Sequence, residues 1–539
     1  MATRHPATRL AALAALLAPL LAGGPAAAQG SKGLTALTIP PKVAAAAFGP
    51  NPGLTCPDYG VAGTVIDGLV RAAKERSQAA PVADGRLCAA ASILLAWKGD
   101  EVPPPEVLLF LARGVGLLTT PQQVMLATLE TEEPRDIARA LSGSVLDTAA
   151  RAAAPRYGLA TKRLAKGSTR VVVLVLDAPF DLSPLPRQLP LNGSATLSGT
   201  LLGRYEKPVV VVSDPRGKVE EPAQAPGKAF KAELRCGDRP GRIHVELRAS
   251  LDDQPRRLAG IPVACGGEPL PTTLPLDEAA WPPAPAEQAR LIFDRINAER
   301  TAAGLAALAW EPALAGVARD LAVDLADERV RGAGSGVGVM ERLAKVEMAS
   351  PLVVQNPGQS TSARRAAEAF LESPVHRANL MNPDVNAGGV GVVVSPGPDG
   401  QPSTFVTELF VQVLPPLDPV KVRADVRAGL IQRRAEAKVS AVTSDPFLEE
   451  VAQKYAVALA AAGGSLSDAR SEELTLPVAK KYKEINLVPG AKADPMVFAA
   501  EPALIGKAGK GLGVGSAQGV HPVLGKNAVY VVVITATKR

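Results

Sequence analysis

LIFDRINAERTAAGLAALAWEPALAGVARDLAVDLAD (291–327), SPVHRANLMNP (373–383), GGVGVVV (388–394) and TFVTELFV (404–411) are the stretches on which the reading of this chain turns. Leu291, Ile292, Ile296 and the arginines 295 and 300 recur at helical spacing, so a helix is expected from Glu287 to Gly304, where glycine ends it. Trp310-Glu311-Pro312 opens a second helix, because proline is tolerated in a first turn whose N–H groups have no helical partner. Leu314, Val317, Ala318, Leu321, Ala322 and Leu325 form its apolar stripe. Residues 373–383 read as a short helix with an exit turn, and 388–394 and 404–411 as two strands.

Working outward, the order and spacing of these four pieces identify a resemblance. Residues 287–416 resemble the CAP superfamily (cysteine-rich secretory, allergen and pathogenesis-related proteins) in its bacterial SCP-like form. The resemblance implies an exported α-β-α sandwich with a cleft between helices and sheet. In that family the cleft usually carries two histidines and two glutamates, a set proposed to bind a divalent cation. Imidazole with carboxylate suits a borderline cation or acid–base work. Here the set is eroded. His376 matches the second histidine, while the first should fall within Arg331–Gly338, which holds none. The first glutamate aligns with Gln355-Asn356, and an amide cannot ionise. Glu368, Glu372 and Glu408 are nearby carboxylates, none assignable as the second. Beside His376, Gln355, Asn356 and Glu408, the cleft is expected to take Ser373, Arg377 and Asn379 from the short helix.

The pattern recurs. Asp445-Pro446-Phe447-Leu448 repeats Glu311-Pro312-Ala313-Leu314, and the stripe continues at Tyr455, Ala456 and Leu459. Leu430 to Arg434 parallels Leu291 to Arg295, and Gly511-Leu512-Gly513-Val514 parallels Gly389-Val390-Gly391-Val392. Residues 418–539 are therefore read as a degenerate second CAP-like domain without the Ser-x-x-His motif, with His521 in an exposed hairpin loop. Asp84 to Ala91 and the run after Tyr157 mimic the same pattern, so 56–164 is a third copy or an unrelated helical domain. Its expected helices are Val61–Ala73, Leu87–Trp97, Pro105–Leu111, Gln122–Leu129 and Arg135–Ala153.

Residues 165–266 change character. Val171–Leu176, Ala195–Leu201, Val209–Val212, Ala229–Leu234 and Arg242–Leu247 are short apolar runs separated by turn residues, which predicts an immunoglobulin-like all-β sandwich. The fold class is thus α+β multidomain. Residues 29–55 and the Pro-rich 267–286 read as linkers.

Residues 1–28 read as a signal peptide: Arg4, His5 and Arg9, then the apolar run Leu10–Leu21, then Ala26-Ala27-Ala28, with cleavage after Ala28. Secretion to the periplasm or the exterior follows. The four cysteines fit it, and pair most simply as Cys56–Cys88 and Cys236–Cys265 because CxxC metal spacing is absent. Without residues 1–28 the formal charge falls from +6 to +4, and no basic cluster suits nucleic acid. No later stretch reaches the ~20 apolar residues of a membrane span.

There is no His-Glu-x-x-His, no Gly-x-Ser-x-Gly and no free thiol beside a histidine. Gly506–Gly511 lacks the Ser or Thr of a phosphate loop. With only four histidines, the chain reads as a non-catalytic binding protein of the envelope, its ligand a lipid, peptide or wall fragment, without a resident cofactor. The alternatives are a hydrolase using His376 with a glutamate or a divalent cation, and a scaffold acting through the sandwich.

Overall fold

Glycines that let a strand lie against a helix backbone set the architecture of the middle unit. A Cβ on Gly389 would stand 2.2 Å from the Ala315 nitrogen, and one on Gly391 2.1 Å from that of Arg319. Helix Pro312–Arg331 therefore rests directly on strand Ala387–Pro396. The computed structural model describes residues 34–57, 60–98, 101–276, 281–331, 335–397, 402–506 and 509–539. The signal-peptide reading of 1–28 lies outside them, as do residues 332–334 and 507–508 of the glycine-rich loops.

The middle unit's sheet runs Ala309–Trp310, Ala387–Pro396, Pro402–Val411, Val353–Ser360, with the first pair parallel and the others antiparallel. Leu314, Val317 and Ala318 of helix Pro312–Arg331 pack with Leu409 and Val411 on one face. Ile292, Phe293 and Ile296 of helix Pro285–Ala302, with Phe370 of Ala363–Glu372, cover Val406 and Phe410 on the other. The result is an α-β-α sandwich, with the short helix Pro374–Leu380 following Ala363–Glu372.

Two other stretches have the same strand order. In 60–177 the sheet runs Val82–Ala83, Pro155–Arg163, Thr169–Asp177, Gln123–Leu129; in 419–538 it runs Thr443–Ser444, Gly511–His521, Gly525–Lys538, Tyr482–Lys492. The helices before the short strands end alike. Ser77, Gly304 and Lys438 have positive φ, and the residue after each donates its N–H to a carbonyl five residues back, on Ala73, Arg300 and Arg434. Arg300 and Arg434 are each 1% exposed. The Arg300 guanidinium donates to the carbonyls of Ala306 (2.9 Å), Leu380 (2.7 Å) and Asn382 (2.9 Å). Arg434 donates to those of Ser440 (3.0 Å) and Leu504.

These contacts shift two parallels drawn from the sequence. Arg434 stands where Arg300 does, so Leu430–Arg434 corresponds to Ile296–Arg300 rather than to Leu291–Arg295. The glycines pressed on helix Pro446–Ala461 are Gly513 and Gly515, so the strand register lies two residues further on. A Cβ on Gly513 would meet the Leu448 carbonyl carbon at 2.2 Å. G513A is expected to lower stability by about 1–3 kcal/mol or more, since backbone cannot swing aside. G316A, at a helical position with open space around it, should be neutral or stabilising. Thermal melts of the two variants check this pair.

The β region departs from expectation at its N-terminal end. Thr169–Asp177 pairs with Pro155–Arg163 and Gln123–Leu129, so it belongs to the preceding sheet, and Gln123–Leu129 is a strand rather than a helix. A seven-residue apolar run fits either state, and only its distant partner decides. The sandwich begins at Phe180. It has a three-stranded sheet, Ala229–Arg235, Ser194–Leu201, Phe180–Leu182, and a five-stranded one, Val219–Glu220, Tyr205–Ser213, Gly241–Leu251, Gln254–Cys265, Gln188–Leu189. Both sheets share one core, including Leu197, Phe230, Val245 and Ile261. Cys236–Cys265 joins the sheets, and Cys56–Cys88 ties the arm to helix Gly85–Leu94.

The two linkers are built-in parts. Ala36–Thr38 pairs with Thr273–Pro275, and Leu37, Ile39 and Phe48 are buried. Apolar residues spaced among prolines show no period, so their burial was not legible before a partner strand existed. No helix among the described residues is long and apolar enough to cross a membrane.

Candidate functional site

The polar residues expected in the cleft separate into two groups. Strand alternation turns Glu408 to the face that carries Val406 and Phe410, and register places it opposite Asn356. Asn356 donates to Glu408 Oε2 (2.9 Å) and to the His376 carbonyl (3.1 Å). Asn379 donates to Asn356 Oδ1 (2.8 Å) and to the Gln355 carbonyl (3.3 Å). This network fastens helix Pro374–Leu380 to the sheet. Burial pushes the Glu408 carboxyl up to about 8, the Asn356 hydrogen bond opposing it. Gln355 contributes only its carbonyl, and its side chain faces out.

Ser373, His376 and Arg377 belong to the second group. The His376 ring meets Phe370 edge-on at 5.0 Å between centroids. Burial draws its pKa down to about 4; Glu246 opposes this, while Arg257 and Arg248 reinforce it. Ser373 Oγ donates to Glu246 Oε2 (3.4 Å), a residue of the sandwich. Arg377, 3% exposed, donates to Glu299 (3.1 Å), and its Nε has no hydrogen-bond partner among the described residues.

The neighbours of this second group escaped the sequence reading. Strand Gly241–Leu251 carries Ile243, Val245 and Leu247 in the sandwich core and alternates them with His244, Glu246 and Arg248. That two-residue period of charge was the available signal, but it did not say what the polar face meets. Glu246 is held by Arg248 Nε and by Arg257 Nε (3.1 Å). Glu372 receives both Nη groups of Arg113, at 2.7 and 2.8 Å, from the helix Pro105–Gly114. Burial would raise the Glu372 carboxyl, but Arg113 holds it at about 2. His244 is fully enclosed, its pKa drawn to about 3 by burial and then by Arg377, with Glu372 opposing.

This donor set fits a divalent cation poorly. Glu246 and Glu372 are already neutralised by arginines, and Glu408 accepts from the Asn356 amide. Among the described residues no three His, Cys, Asp or Glu side chains are grouped to hold a metal. His521 is half-buried rather than exposed: its Nδ1 accepts the N–H groups of Val523 and Leu524, closing the last hairpin.

An α-β-α sandwich with the His376 helix fastened across one face defines the class of domain. Residues 293–413 match the cysteine-rich secretory protein family, CAP, so the chain contains a CAP domain over these residues. Among solved structures it is similar to an outer surface protein from Borrelia burgdorferi (21% identity, 24% of this chain and 96% of that one, TM-score 0.20). An extracellular SCP-domain protein from Bacillus anthracis str. Ames is 19% identical over 34% of this chain and 64% of that one, TM-score 0.20. A cysteine-rich secretory protein from Staphylococcus aureus is 13% identical over 43% of this chain and 81% of that one, TM-score 0.20. No curated protein matches the chain.

Proposed function

We propose that this is an exported CAP protein that binds a lipid, peptide or wall fragment of the cell envelope without catalysis. The observation that carries the reading is the state of the carboxylates. Glu246 and Glu372 are tied to arginines, and Glu408 is buried with its proton, so none stands ready to serve His376 as base or co-ligand. The two disulfides and the 1–28 reading support export. The shared strand order and the Arg300/Arg434 contacts support degenerate CAP-like copies at 60–177 and 419–538. An immunoglobulin-like sandwich lies between the first copy and the CAP domain. The hydrolase alternative requires His376 to recruit a metal or a carboxylate.

The deciding experiment measures metal content and ester and peptide hydrolysis in the purified chain and in H376A. The binding reading expects neither property to depend on His376. Stoichiometric metal, or turnover, that disappears in H376A overturns it.

A further inference from the structure

The helix that carries His376 is covered by other domains, and the cover is polar. The Arg113 guanidinium joins three bodies: it leaves the first unit, grips Glu372 of the CAP domain with both Nη groups, and gives Nη2 also to the Gly260 carbonyl of the sandwich (3.2 Å). Glu246 of the sandwich takes the Ser373 hydroxyl at the start of the His376 helix. At the helix exit, the sandwich turn at Gly217 sits so close that a Cβ there would be 2.3 Å from Met381 Cβ. His244, Glu246, Arg248 and Arg257 on one side thus face Glu372, Ser373, His376 and Arg377 on the other. Each flanking domain has its own apolar core, so this seam is not what folds them. Polar seams between self-sufficient domains part more readily than apolar ones.

We propose that the sandwich is an autoinhibitory cover, latched by Arg113–Glu372 and Ser373–Glu246, and that a partner reaches the His376 helix only after the latch opens. The consequence for binding rests on the function proposed above; the latch itself does not.

Two neutral histidines make the latch acid-sensitive. His244 faces Arg377, Arg242, Arg113 and the carboxylate of Glu372; His376 faces Glu246, Arg257 and Arg248. Both have pKa values lowered by closure. Closure therefore has its full strength above about pH 6.5 and loses it as pH falls toward 4, with a protonated imidazole left beside arginines.

The test is hydrogen–deuterium exchange with small-angle scattering on the full chain, comparing wild type, R113A and E372Q at pH 7, and wild type at pH 5. E372Q keeps the side-chain shape and stands in if R113A fails to fold. Losing a doubly bonded ion pair should speed exchange in 373–381 and in the facing strand 241–251 by about 10-fold or more. The radius of gyration should rise, and wild type at pH 5, corrected for intrinsic exchange, should move the same way. Unchanged protection in both variants, or acceleration spread evenly over all domains, overturns the latch. A His376-dependent metal or turnover would instead overturn only the binding reading.

Discussion

R300A is expected to unfold the CAP domain at markedly lower urea than wild type. The Arg300 guanidinium is buried with no carboxylate partner among the described residues and closes four carbonyl groups, those of Ala306, Leu380, Asn382 and, at 3.4 Å, Val385. Removing it leaves these four acceptors without that donor, at about 1–3 kcal/mol for each one that stays buried and unpaired, and opens a cavity as well. A loss of at least about 3 kcal/mol follows. The Leu380 and Asn382 carbonyls belong to the end of the His376 helix and its exit turn, so protection of 374–382 should fall first. Urea unfolding followed by exchange reads both quantities. An R300A midpoint equal to that of wild type would show that the carbonyls find water and that the arginine is not the clamp described above. R434A makes the same demand on the C-terminal unit through Ser440 and Leu504.

The second large effect is a pH dependence with two opposed limbs. Glu408 has its pKa raised to about 8 by burial, so its contribution is complete below its unfolded value near 4.5 and is lost as pH rises through 8. His376 and His244 are lowered to about 4 and about 3, so theirs is complete above 6.5 and is lost as pH falls. The alkaline limb is worth a few kcal/mol, on the order of 1.4 for each pKa unit. E408Q keeps an acceptor for Asn356 and cannot ionise. Its melting temperature should stay level from about pH 6.5 to 9, where that of wild type declines, and the acid limb below 6.5 should remain. If wild type and E408Q decline together at high pH, the buried carboxyl is not the cause.

Much of the CAP domain was legible because its determinants are local. Proline at the first turn of helix Pro312–Arg331, the closing Gly304, and the short strands at 387–396 and 402–411 each act within a few residues. Cysteine spacing sufficed for both disulfides. Where a segment's state depends on a distant partner, the reading failed. Gln123–Leu129 became a strand because Thr169–Asp177 lies beside it, and the arm at 36–38 became one because Thr273–Pro275 does. The parallels drawn between 287–416 and 418–539 rested on apolar stripes, and the buried arginines and close-packed glycines line up five residues away from them at one end and two at the other, since apolar periodicity tolerates slips that a buried guanidinium does not.

For the site, the sequence by itself determined the residue types: a single histidine in the stretch 373–383, the amide pair Gln355-Asn356, and four histidines in the whole chain. Only the tertiary structure decided how those residues are used. Glu408 is drawn into an amide network, and Ser373 and His376 turn toward a strand more than 100 residues earlier in the chain. Arg113, Glu246 and Glu372 are charges like any others until the domains dock. Desolvation and pairing are properties of the packed seam, and the protonation states of His244, His376 and Glu372 follow from it.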